Sequence, residues 1–84
     1  MKTATARTRT RAKYVILKHA ENEIPLVFSP LLSHELVARR GNALSAGFCE
    51  LDAAGRWITS GRSESLKLGA RPQDAEILNK SLFI

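Results

Sequence analysis

Three side chains of this sequence have the pKa and nucleophilicity that acid–base or covalent catalysis near neutral pH would draw on first: His19, His34 and Cys49. Such chemistry needs a nucleophile, a base and an orienting group that converge on one point. The densest grouping is His34-Glu35 together with Cys49-Glu50. Neighbours on a helix point about 100° apart and neighbours on a strand point to opposite faces, so neither pair is a preassembled dyad. His34 is therefore expected at the surface of a helix N-terminus, and Cys49 as a small core side chain. A metal site drawn from His19, His34, Cys49 and Asp52 would lack i, i+4 and C-x-x-C spacing alike, and there is no glycine-rich phosphate loop of either common kind. The residues predict no catalytic set, no metal and no cofactor, and hence not an enzyme.

The other chemistry on offer is electrostatic. Residues 1–13 (MKTATARTRTRAK) carry Lys2, Arg7, Arg9, Arg11 and Lys13 and no acid. The chain has 13 basic and 8 acidic residues and a formal charge of +5, so these five account for the whole excess. Attraction to a polyanion is expected of a flexible basic arm, residues 1–13, and residues 14–84 are expected to form one electrically neutral domain. Alternating arginines can neutralise several phosphates and release counterions, which makes binding steeply salt-dependent without choosing a sequence. The plain alternative is a solubilising tail. Tyr14, Phe28, Phe48, Trp57 and Phe83 all sit in apolar runs and read as core instead of base-stacking platforms; Trp57, after Arg56 at a strand start, is the one placed for partial exposure. The candidate contact residues for a partner or a nucleic acid are Arg7, Arg9, Arg11, Lys13, Arg39, Arg40, Arg56 and Trp57.

Length and composition narrow the classes further. At 84 residues, 44% hydrophobic and 25% charged, the chain is an ordinary globular domain. A domain this small buries roughly 60–65% of its unfolded surface, which leaves little room for an enclosed cofactor cavity. No apolar run approaches the roughly 20 residues of a membrane span, and the N-terminus lacks a signal-type apolar segment, so the expectation is a cytoplasmic protein without membrane contact. A lone cysteine fits a reducing compartment.

The elements that would position these residues follow from pattern. Tyr14–Lys18 and Ile24–Phe28 are β-branched and apolar on either side of a polar interval, which predicts a hairpin; Pro25 makes its second strand an edge, or starts that strand beyond the proline. Ser29-Pro30 and Gly41-Asn42 bracket a helix over about residues 30–40, with Ser33 as the cap of a shorter alternative. From Ala43 to Leu51 the alternation sets Leu44, Ala46 and Phe48 on one face and Ala43, Ser45, Gly47 and Cys49 on the other. That small-residue face invites close approach, either by a helix of the same domain or by a second copy of the chain. Asp52-Ala53-Ala54-Gly55 is a hairpin loop in which glycine supplies positive φ, leading back through Trp57–Ser60. Glu64–Leu68 either extends that strand past a bulge at Gly61 or forms a fifth. Pro72, Asp74 and Glu76 mark the start of a second helix, with Ala75, Leu78 and Leu82 facing the sheet. The fold class is α+β, a small antiparallel sheet of four or five strands with two helices in the order ββαββ(β)α.

The segments Ser45-Ala46-Gly47-Phe48, Gly61–Leu68 and Arg71–Leu78 resemble small proteins encoded by tailed bacteriophages and prophages, over roughly residues 13–80. That resemblance implies a genomic setting, not an activity, and transfers no site residue. It implies expression in a bacterial cytoplasm, where a protein of this size acts by binding a host or phage protein. Inhibition of a defence nuclease complex such as a CRISPR effector is one such role. The neutral core departs from the strongly acidic style of DNA mimic. The expectation is thus a non-enzymatic interaction protein with a protein partner, with homodimerisation open, and nucleic-acid binding through residues 1–13 as the alternative.

Overall fold

A computed structural model describes residues 11–38 and 41–81. Among these, β1 (Ala12–His19) and β2 (Asn22–Phe28) form the first hairpin, followed by α1 (His34–Ala38), β3 (Asn42–Leu51), β4 (Trp57–Ser60), β5 (Arg62–Ser63), β6 (Leu68–Gly69) and α2 (Asp74–Ser81). The main sheet is antiparallel throughout, in the order β2-β1-β3-β4, and β5 and β6 make a separate two-stranded ribbon. The α+β class and the hairpin–helix–hairpin–helix order agree with the sequence pattern. Glu64–Leu68 does neither of the two things expected of it, because Gly61, at φ +75°, turns the chain off the sheet and residues 64–67 become the turn of the small ribbon.

Alternation along β1 divides the core. Tyr14, Ile16, Cys49 and Leu78 bury together beneath α2, joined by Val27, Trp57, Ala70 and Ile77. On the opposite face Val15, Ala46 and Ala38 bury beneath α1 and the ribbon, with Leu17, Phe28, Val37, Leu66 and Leu68 around them. Each large apolar side chain so enclosed contributes about 1.5–3 kcal/mol. On the small face of β3, Cys49 packs against Leu78 of α2, and Gly47 lies beside Tyr14 and Ala70. One detail of that face is corrected. Ile16 pairs with Ser45 and Leu17 with Ala43, so Leu44 is an extra residue in a bulge. Leu44 accordingly packs with the Tyr14 cluster and Ala43 with the Val15 cluster, the reverse of simple alternation.

Turn chemistry agrees with the sequence at one hairpin and departs from it at the other. Gly55 takes φ +82° as its loop requires, and the Asp52 carboxylate accepts the Ala54 and Arg56 N–H groups, both at 2.9 Å. The first hairpin closes with only two loop residues, since His19 pairs with Asn22. Ala20 carries φ +60° there while Glu21 does not, the pattern of a type II′ turn, in which glycine is the residue of choice at the first position. Ala20→Gly is expected to raise stability by about 0.5–1 kcal/mol, a few degrees in Tm, checked by thermal denaturation. A melting temperature unchanged or lowered would mean that the alanine is not strained.

The β2 edge of the sheet is blunted, and the β4 edge is covered at Trp57. Pro25 lies opposite Ile16 at a position whose N–H would point away from β1, so the proline removes the central outward donor of β2, and the strand runs through it as an edge. At β4, the Asn79 side chain takes both outward groups of Trp57, accepting its N–H at 2.7 Å and donating to its carbonyl at 3.1 Å.

Candidate functional site

A concave apolar surface lies between α1 and the β1–β2 hairpin, where α1 covers only part of the sheet. Ser33 ends the preceding loop as the N-cap, its hydroxyl accepting the Leu36 N–H at 3.0 Å. The helix that follows starts at His34, not at Pro30, and its described residues are the five of His34–Ala38. Ser29-Pro30 instead begins a turn, in which the Ser29 carbonyl accepts the Leu32 N–H at 3.0 Å. These residues cover β1 and part of β3 and meet β2 at its end, where His34 stands against Phe28. Ile24 and Leu26, which share a face with Leu17 and Phe28, are left open, and so are Leu31, Leu32 and Leu36. Leu31 is 93% exposed and Leu36 52%. A groove of about 690 Å³ runs between these elements, lined by Leu17, Ile24, Leu36 and Val37 with His19 at its end.

His34 is what holds α1 in place, and its position corrects the expectation of a surface residue. It is buried, its Nε2–H donates to the Gly47 carbonyl at 2.8 Å, and its ring stands edge-on to both Phe28 and Phe48. Cys49 is on the other side of the sheet, fully enclosed against Tyr14 and Leu78. Burial, with the Glu50 charge adding to it, pushes its thiol up to about 12. The two residues thus serve packing on opposite faces, and no group of three or more His, Cys, Asp or Glu side chains among the described residues is arranged to hold a metal ion.

The raised thiol carries a pH prediction. An unfolded cysteine ionises near ~8.5, whereas the folded thiol keeps its proton to about 12, so the unfolded chain alone loses a proton between these values. Stability is therefore unaffected by this group below pH ~8.5 and declines above it, by at most about 1.4 kcal/mol per pH unit. Denaturant titrations from pH 7 to 11 should show this limb, and Cys49→Ala should lack it. Above pH ~10 the slope steepens, because burial and the hydrogen bond to Asp74 raise Tyr14 as well. A flat profile to pH 11 would show both groups to be solvated.

The basic candidates are not gathered into one patch by the described structure. Arg11 lies with its guanidinium carbon 4.4 Å from the centre of the Phe48 ring, and Lys13 donates from Nζ to the Leu32 carbonyl at 2.9 Å. Lys13 belongs to β1, which begins at Ala12, and Arg11 immediately precedes that strand. Arg56 is exposed in the β3–β4 loop, and Trp57 is partly buried under α2 on the opposite face from Arg11 and Lys13. Arg7, Arg9, Arg39 and Arg40 lie outside the described residues.

Sequence reading missed a polar network on the α2 side. The buried Asp74 accepts the Tyr14 hydroxyl at 2.5 Å and the Arg71 backbone N–H at 2.9 Å through Oδ2, and Arg71 Nε at 2.9 Å through Oδ1. Arg71 extends to Glu23 on β2 at 2.8 Å. The i, i+3 spacing of Arg71 and Asp74 was the one available signal, half of a capping box. No helix among the described residues is long and apolar enough to cross a membrane. No family model, curated protein or solved structure matches this chain.

Proposed function

We propose that this chain is a non-enzymatic interaction protein that binds a protein partner through the open apolar side formed by β2, α1 and the loop before α1. The observation that carries the reading is the exposure of Ile24 and Leu26 on β2, Leu31 and Leu32 in the loop before α1, and Leu36 on α1; of the remaining large apolar side chains described, Leu51 and Ile58 are exposed as well. His34 and Cys49, the side chains best suited to catalysis, are committed to packing, which supports a binding role over an enzymatic one. The resemblance of three segments to small phage and prophage proteins favours a bacterial cytoplasmic setting and a host or phage target. Within that setting, inhibition of a defence complex such as a CRISPR effector suits a small binder whose domain charge is balanced.

The test is a nuclease-treated pull-down from bacterial lysate with the full chain and with Leu36→Asp, followed by mass spectrometry. Leu36 is half exposed, so the aspartate should leave folding intact. A stoichiometric protein retained by the full chain and lost with Leu36→Asp is the expected result. Retention by both would move the binding surface elsewhere, and loss on nuclease treatment would make nucleic acid the partner, held through the basic residues of the N-terminal segment.

A further inference from the structure

We propose a second recognition surface, independent of the α1 side: the outer edge of β4 accepts one short extended peptide segment as an added strand. In the β3–β4 hairpin the Asp52 N–H bonds to the Arg56 carbonyl at 2.8 Å, and Glu50 pairs with Ile58 and Phe48 with Ser60. Antiparallel alternation then turns the backbone groups of Trp57 and Thr59 outward. Those of Trp57 are taken by the Asn79 amide, which imitates the next strand. The Asn79 amide also donates to the Ala75 carbonyl, one helical turn earlier, at 2.8 Å. Ala75 occupies that preceding turn of α2 and, as an alanine, has no side-chain group to do for Thr59 what Asn79 does for Trp57. Among the described residues, the N–H and carbonyl of Thr59 have no hydrogen-bond partner.

The space so left is a groove of about 460 Å³ between β4 and the start of α2, with Thr59, Gly61, Ala70, Pro72 and Ala75 in its lining. A strand added here would continue the line that the Asn79 amide begins, at the usual ~4.8 Å spacing, and bond to Thr59 in both directions. Arg71, at the end of the groove, is already paired with Glu23 and Asp74, so the site selects an uncharged backbone over an anionic group. A helix, whose own backbone is satisfied, would leave Thr59 unpaired.

The test uses the full chain and a displayed library of randomised heptapeptides, selected on the wild type and then measured on Ala75→Gln and Leu36→Asp. Ala75→Gln places an amide opposite Thr59 and closes the edge from within; its amide spectrum reports whether the fold is kept. Peptides that bind wild type and Leu36→Asp alike, but Ala75→Gln at least about tenfold more weakly, are expected, equivalent to 1.4 kcal/mol. The Thr59 amide should exchange rapidly in the free protein and become protected by such a peptide. Recovery of no peptide, equal binding to Ala75→Gln, or slow Thr59 exchange in the free monomer would each overturn the proposal. Protection of Thr59 that grows with protein concentration alone would assign the edge to a second copy instead. Loss of every peptide with Leu36→Asp would place them on the α1 side, so the two surfaces fail separately.

Discussion

Asp74→Ala costs the fold about 3 kcal/mol, because it orphans two donors at about 1–3 kcal/mol each. The carboxylate is fully enclosed and joins three elements: β1 through Tyr14, the start of α2 through the Arg71 backbone, and β2 through the Arg71 side chain that continues to Glu23. Alanine leaves the Tyr14 hydroxyl and the Arg71 N–H without an acceptor, and each lost bond adds a desolvation penalty instead of a simple deletion. Against a total stability of about 5–15 kcal/mol this is a large share, a fall in Tm of at least ~12 °C. Tyr14→Phe costs less, about 1–2 kcal/mol, because Asp74 keeps its bonds to Arg71. The double variant should cost less than the sum of the singles, since phenylalanine removes the hydroxyl that Asp74→Ala would orphan. Urea titrations of the four proteins decide it. Additive effects, or a cost for Asp74→Ala below 1 kcal/mol, would show the network to be solvated and dispensable.

This network also shows where sequence reading ends. Local signals were legible: the two β-branched runs that made β1 and β2, the Gly55 loop, and the Pro72 and Asp74 start of α2 each carry their cause within a few residues. Tyr14 and Asp74 are 60 positions apart, and nothing at either position announces the other. The bulge at Leu44 depends on how β3 is paired and not on β3 itself, so alternation assigned Ala43 and Leu44 to the wrong faces. Ser29-Pro30 and Ser33 offered rival caps for α1, and the tertiary fit of His34 beneath Phe28 and Phe48 favours the second. Ile24 and Leu26 read as ordinary strand residues, and nothing in β2 itself shows that α1 covers only part of the sheet. Asn79 takes its meaning only from the β4 backbone beside it.

Gly47→Val is expected to be about as damaging, and to act on the α1 side as well as on stability. Gly47 pairs with Tyr14 in the middle of the sheet, where even a first side-chain carbon would sit 2.6 Å from the Ser60 carbonyl oxygen and 3.3 Å from Tyr14 Cε1. The nearest neighbour is backbone, so relief requires β3 and β4 to shift against each other, and overpacking of this kind costs about 3 kcal/mol, the upper part of its usual range. The Gly47 carbonyl is also the acceptor for His34 Nε2. A helix this short has no stability of its own, so α1 depends on that bond and on the two aromatic edges. Moving the carbonyl should release α1 before it disturbs α2, which is held by Leu78, Asp74 and Asn79. In amide exchange, Leu36 and Val37 should lose protection while Ile77 and Leu78 keep theirs, and a partner bound through Leu36 should be lost under conditions where the sheet is still folded. Leu36→Asp, which removes the contact without loosening α1, separates the two causes. Uniform loss of protection across both helices would mean that His34 does not hold α1 independently, and that the open apolar side is a fixed part of the sheet.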